Sequence, residues 1–442
     1  MRTRLLHILA VAVVALQTSM AAAFSPELDG TMMPYRFSEG DTIVPWSEDL
    51  QPVTVNYVAR HGARFLSSEN KVEHIRKALL KAKQRGELTD KGERFLQLIQ
   101  RVDSVTAGSW GALNATGIDE EQRLGRQLMS VVPRLMAYGR VTAKATYVPR
   151  VVMTMYEFCH SLARGSQRLE ISTSEGRQFN SLLRYFSTDS AYVSYLKEGD
   201  WKGQFDAFSE ANTPVAPAKG MIRGEADRKK LQKVTLEAYG VLQSLRASGI
   251  ETDAGEWFTE KEYRQCWEVA NLKHYYQRSA SRLSTIPVEA CSKLLNEIVE
   301  SADSAFMIAD LAAGSDGAYP IADSSYPGGF RPVGKNPLRA NLWFGHAETV
   351  IPLFAAMQLP GCYAPDAAPE EVADVWKDYE VSPLGANLMM VCLRNAIGDH
   401  YVALRLNGRW LGPPTPWKNL KTKWLNNKTI NTNILWTTKK NQ

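Results

Sequence analysis

The sequence has few cysteines, five in 442 residues, and Cys159, Cys266, Cys291, Cys362 and Cys392 fall in neither a CxxC nor a zinc-ligand spacing. That excludes a zinc module, and the odd number leaves at least one thiol outside any intramolecular disulfide. Cys266 with Cys291 is the one pairing the sequence suggests, whereas Cys159 and Cys392 sit in apolar surroundings and read as core thiols. After the N-terminal segment no apolar run is long enough to span a bilayer. There is no internal repeat, and no low-complexity tract before Gly412. No nucleic-acid-binding motif is seen either. The net charge of +5 includes Arg2, Arg4 and six lysines that follow Gly412 without a single acid, and the rest of the chain carries −3. Nucleic acid is therefore not an expected partner.

What is present is ordinary globular composition, 44% hydrophobic and 22% charged. The length calls for two domains or one with a large insertion. Arg2 and Arg4, the apolar run Leu5 to Leu16 and Ala21-Ala22-Ala23 read as a secretory signal peptide over 1–23, so the mature protein is expected to be exported, periplasmic or secreted. Strand-like runs at Val53 to Val58, Thr146 to Val148, Leu342 to Phe344 and Tyr401 to Leu404 bracket a long middle. Helical spacing of apolar residues fills that middle at Lys229 to Ala247, Ala270 to Arg282 and Ala290 to Ser301. The expected organisation is an α/β core over 24–164 and 305–411, a mostly helical insertion over 165–304, and a Lys/Asn-rich tail over 412–442. Asn212 to Gly224 and Gly314 to Pro337 read as loops.

Arg60-His61-Gly62-Ala63-Arg64 ends the apolar run Val53 to Val58. Gly62 lets the backbone turn so that the flanking side chains converge. Two guanidinium forks beside one imidazole suit phosphate oxygens, and they suit a metal poorly. Far along the chain Phe344-Gly345-His346-Ala347-Glu348-Thr349 again follows an apolar run and precedes a helical pattern from Val350 to Met357. A strand, a glycine and a helix start would bring His346 and Glu348 to the rim of the same sheet. Glu348 there could also simply stabilise the helix N-terminus. Phosphoryl transfer supplies roles for the set: His61 as nucleophile, Arg60, Arg64 and His346 around the oxygens, and Glu348 as proton donor to the leaving group. Arg150, between the strand candidate Thr146 to Val148 and the amphipathic stretch Val151 to Leu162, is a further phosphate-binding candidate. Arg177, Arg184, Lys197, Lys202, Lys219 and Arg223 supply charge in the helical insertion, as pocket or as plain surface.

These two motifs resemble those of the histidine acid phosphatases. Arg60 to Arg64 is similar to their RHGxR motif, and His346-Ala347-Glu348 resembles the form found in the multiple inositol polyphosphate phosphatase branch of phytases, where other members carry His-Asp. Arg150 with Phe158, Leu183-Arg184-Tyr185-Phe186, Ser382 to Asn387 and Leu406-Asn407 extend the likeness over Tyr57 to Asn407, while the segment after Asn407 departs from it. The resemblance implies a mixed central β-sheet flanked by helices with an inserted helical domain. It implies hydrolysis of phosphomonoesters without metal or cofactor, through a phosphohistidine at His61, with myo-inositol hexakisphosphate as substrate. A broad acid phosphatase and a non-catalytic phosphate-binding protein are the alternatives; retention of both His61 and Glu348 speaks against the second.

Overall fold

The computed structural model describes residues 24–38, 43–314, 321–322, 330–331 and 337–426. The expected signal segment 1–23 and most of the expected loop between Gly314 and Pro337 lie outside them.

Among the described residues ten strands follow one another as β1 (Gln51–Arg60), β2 (Gly139–Ala145), β3 (Leu169–Glu175), β4 (Ile321–Ala322), β5 (Phe330–Arg331), β6 (Leu338–Gly345), β7 (Asn387–Arg394), β8 (His400–Leu406), β9 (Arg409–Trp410) and β10 (Thr415–Pro416). All but β4 and β5, which pair with each other, form one mixed sheet in the order β10-β8-β7-β1-β6-β2-β3, with β9 on β8. β1 runs parallel to β6 and antiparallel to β7, so it is central and covered on both faces. That is why its sequence is a near-continuous apolar run rather than an alternating one.

The longer helices are α1 (Asn70–Gln84), α2 (Asp90–Thr106), α3 (Ala115–Val131), α4 (Pro149–Gly165), α5 (Arg228–Leu242), α6 (Glu260–Arg278), α7 (Ser292–Gly314), α8 (Ala347–Ala356) and α9 (Trp417–Leu425). One face of the sheet packs on α3 and α4, where the rings of Tyr57, Phe158 and Phe344 meet at 4.9 and 5.5 Å. The other packs on α7 and α8 through Ile298, Trp343 and Phe354. A helical body of α1, α2, α5 and α6 has its own core around Leu79, Phe95, Tyr239 and Tyr263. The mixed sheet flanked by helices is the expected fold class.

Several expectations need correction. Thr146 to Val148 is not a strand: pairing ends at Ala145, opposite Phe344, and Pro149, which has no N–H for a ladder, opens α4. Sheet structure continues past residue 164, because β3 pairs in register with β2. The helical body is not confined to 165–304 either, since α1 and α2 join it from before β2. The expected loop at Asn212 to Gly224 contains a short helix, Ala216–Met221. Cys266 and Cys291 belong to different cores and do not pair, and all five cysteines are buried free thiols.

The expected tail is packed as far as Asn426. Trp417 and Trp424 are buried, Trp417 Nε1 and Lys421 Nζ both reach Asp303 on α7 at 2.8 and 2.6 Å, and Trp424 Nε1 donates to the Met357 carbonyl. The tryptophans and one lysine thus find partners on the sheet-covering helices; residues 427–442 lie outside the described part.

Candidate active site

Register places the site. Arg60 stands opposite Gly345 and Ala145 opposite Phe344, so His61, His346 and Thr146 leave three adjacent parallel strands at the same C-terminal edge, where open α/β sheets hold ligands. The rings of His61 and His346 meet edge to face at 5.9 Å. Backbone bonds fix the motif between neighbours: Arg60 N–H donates to Ala386 O, His61 N–H to Gly345 O, and Gly385 N–H to His61 O, at 2.8, 3.1 and 3.0 Å. The stretch Ser382 to Asn387 is thus one wall of the site.

Beneath the motif, α3 and α4 approach closely and hold it with side chains. Gly62 N–H donates to Thr154 Oγ1, while Glu120 accepts from Ala63 N–H at 2.7 Å and from Tyr35 N–H at 2.8 Å. Burial raises the Glu120 carboxyl to about 7 despite these two bonds. Gly62 is needed here for proximity rather than for a left-handed turn: a Cβ would lie 3.0 Å from both Glu121 Oε1 and the Gly117 carbonyl. At Gly117 a Cβ would fall 2.1 Å from the Ala63 carbonyl. Gly117→Ala is expected to shift the motif, destabilising the protein by about 1–3 kcal/mol and removing most activity. Urea melts and turnover of this variant matching the parent would refute that.

His61 is buried, and its Nδ1 lies 3.0 Å from the Gly62 carbonyl. That bond assigns the ring proton to Nδ1 and leaves the Nε2 lone pair available. Burial first, then the charges of Arg150, Arg60, Arg64 and His346, hold the imidazole far below its ordinary value and therefore neutral. Arg60 is anchored by Nη1 to the carbonyls of Thr31 and Ser382, both at 2.6 Å, and Arg64 by Nη1 to that of Phe65 at 2.8 Å. Burial, with Arg64 as the chief repelling neighbour, brings Arg60 down to about 9, and burial with repulsion from Arg150 brings Arg64 down to about 10. His346, lowered by burial to about 3, caps the start of α8 and places Nε2 3.2 Å from Thr146 Oγ1. Arg150, at the start of α4, has a buried Nε with no partner among the described residues and is lowered by burial.

Glu348 lies in the first turn of α8, and its Oε1 accepts from Arg278 Nη2 at 2.7 Å. Burial alone would raise this carboxyl, but Arg278, His346 and a backbone hydrogen bond hold it well below the usual range. The six residues singled out by sequence therefore converge.

Others were not singled out. Arg278, the last residue of α6, carries no motif. Lys71 and Lys273 are lowered by burial and then by neighbouring cations, among them Arg278 for both, which extends the basic wall onto the helical body. Thr154, Glu120 and Thr146 act through contacts distant in sequence. Of the insertion's basic residues, Arg184 stands close enough to depress His346, and the segment around it braces α8, with Tyr185 OH donating to Thr349 O and Phe186 edge-on to His346. Arg177 stacks on Tyr147, and Lys202 neighbours Lys273. Lys202 Nζ reaches the Lys197 backbone carbonyl, and among the described residues the Lys197 side chain makes no contact with the site. Lys219 and Arg223 do not join them: Lys219 lies in the short helix that docks on Thr89 and Arg223 just after it, at the opposite end of α1 from Lys71.

A neutral imidazole ringed by buried guanidinium groups, with a carboxylate close by, is the equipment of a phosphatase. The chain belongs to the histidine phosphatase superfamily, branch 2, which matches it over residues 53–407, and it is an enzyme of that class. No curated protein sequence matches it. Its fold is similar to that of the Bifidobacterium longum multiple inositol polyphosphate phosphatase in complex with inositol hexasulfate, with a TM-score of 0.70 at 12% identity over 90% of this chain and 97% of that one. The phytase from D. castellii is also similar, with a TM-score of 0.60 at 14% identity over 91% and 84%. Among the described residues no helix is long and apolar enough to cross a membrane.

Proposed function

We propose that this phosphatase is exported and removes phosphate from myo-inositol hexakisphosphate and lower inositol polyphosphates through a phosphohistidine at His61. The observation that carries the reading is the neutral His61, with Nε2 available, set among the buried arginines close to Glu348. Nε2 attacks phosphorus as Arg60, Arg64, Arg150 and His346 hold the oxygens; the P–N bond forms, the P–O bond breaks, and the departing alkoxide takes a proton from Glu348. Glu348, now a carboxylate, takes a proton from water, whose oxygen displaces the imidazole and frees phosphate.

Support for a substrate with several phosphates comes from Lys71 and Lys273, which continue the positive wall beyond the arginines. Support for export is the N-terminal sequence Arg2 to Ala23. A competition assay between inositol hexakisphosphate and p-nitrophenyl phosphate, with mapping of the products, tests the proposal. One added phosphate–cation contact is worth about 1.5–3 kcal/mol, so kcat/KM is expected to favour the inositol substrate by about tenfold or more. Equal or reversed preference would instead mark a broad acid phosphatase.

A further inference from the structure

An acid catalyst has to carry a proton, yet Glu348 stands where its anion is favoured. Facing it are Arg278 and His274 from α6, Arg60 and Arg64 from the end of β1, and Arg150 from α4. His346 at the α8 cap and the hydroxyls of Tyr185 and Tyr192 complete its surroundings. Among the described residues only Arg278 pairs with it directly. Arg278 is also incompletely used: beyond the Nη2 bond to Glu348, its Nε and Nη1 are buried with no partner among the described residues. Either edge of the guanidinium that can give a phosphate two parallel N–H bonds, Nε with Nη2 or Nη1 with Nη2, includes the Nη2 that holds Glu348, so an arriving phosphate competes with the carboxylate for that donor.

From this juxtaposition we infer that Arg278 is the trigger that arms Glu348: it holds the carboxylate in an ion pair until a substrate phosphate takes over its donors, and the released carboxylate then collects from solvent the proton it delivers. The inference rests on the reading of Glu348 as proton donor. Its electrostatics follow in sign. An arriving dianion offsets the cations that keep Glu348 ionised, so the complex binds a proton more tightly than the protein before substrate arrives. The proton leaves on the departing oxygen, and the carboxylate is regenerated for the water step. His274 on the same helix is held through Nδ1 by Asp378 at 2.8 Å, and burial and Arg278 lower it, so it is a second group that an anion could protonate, as are His61 and His346.

The test is calorimetry of inorganic sulfate binding to the full-length protein in buffers of different ionisation enthalpy, at about pH 5, where sulfate has no proton to give and an ordinary carboxyl is titrating. The expected result is net uptake approaching about one proton per sulfate, absent in Glu348→Gln and at least halved in Arg278→Gln. Arg278→Lys, which keeps the charge, retains the uptake. The descending limb of kcat/KM should also move to higher pH in Arg278→Gln, a displacement that a merely structural role would not give. Binding without uptake in the parent protein, uptake that survives Glu348→Gln, or uptake unchanged in Arg278→Gln overturns the trigger. Sulfate binding does not involve the inositol ring, so failure of the substrate reading is registered separately by the competition assay.

Discussion

His61→Ala is expected to lower kcat by about four orders of magnitude or more, because it removes the Nε2 that takes the phosphoryl group. Arg60, Arg64 and Arg150 are held by their own anchors and surroundings, not by the imidazole, so anion binding should persist. The ring is neutral and makes a single short-range bond, to the Gly62 carbonyl, so its removal should leave the fold intact. The decisive measurement is a rapid quench at alkaline pH with radiolabelled substrate, since phosphohistidine is lost in acid. The parent protein should retain label and the variant none. A variant that still turns over, or that is labelled at another residue, would remove His61 from the mechanism.

Glu348→Gln should be nearly as severe for an alkoxide leaving group, with a loss of about 10² to 10⁴-fold, the usual contribution of a positioned general acid. For p-nitrophenyl phosphate, whose leaving group needs little protonation, the loss in the phosphorylation step should be less than about tenfold. The contrast between substrates is the diagnostic quantity, because a merely structural role at the start of α8 would slow both alike. The stability consequence has a definite sign. The Glu348 carboxyl is depressed, so its pairing with Arg278 stabilises the fold above the ordinary carboxyl range and the contribution fades as pH falls toward the folded-state value.

The site was legible where chemistry is local. Arg60 to Arg64 and His346 to Glu348 each sit at a strand end, and β1 and β6 announce themselves through β-branched and aromatic residues. Arg150 could be selected because it opens the amphipathic stretch Val151 to Leu162, even though the strand before it was placed at Thr146 to Val148, just past the end of β2 at Ala145. Arg278 could not be selected. It is one of 52 basic residues, and its meaning comes from the packing of α6 against α8, which no local pattern encodes. The same holds for Gly117, whose lack of a side chain matters only because Ala63 lies against it. The tail misled because lysines without nearby acids suggest a solvated segment, whereas Asp303, more than a hundred residues earlier, supplies the acid.

The five buried thiols bear on how the protein survives rather than on what it catalyses. Burial pushes Cys159 up to about 12 and raises the other four as well, so none offers a thiolate to an oxidant while the chain is folded. Reductant should leave the native enzyme indifferent. Heating in air is another matter, because unfolding bares all five sulfurs together and lets them cross-link at random; durability is then governed by how rarely the native state opens, not by how favourable it is at equilibrium.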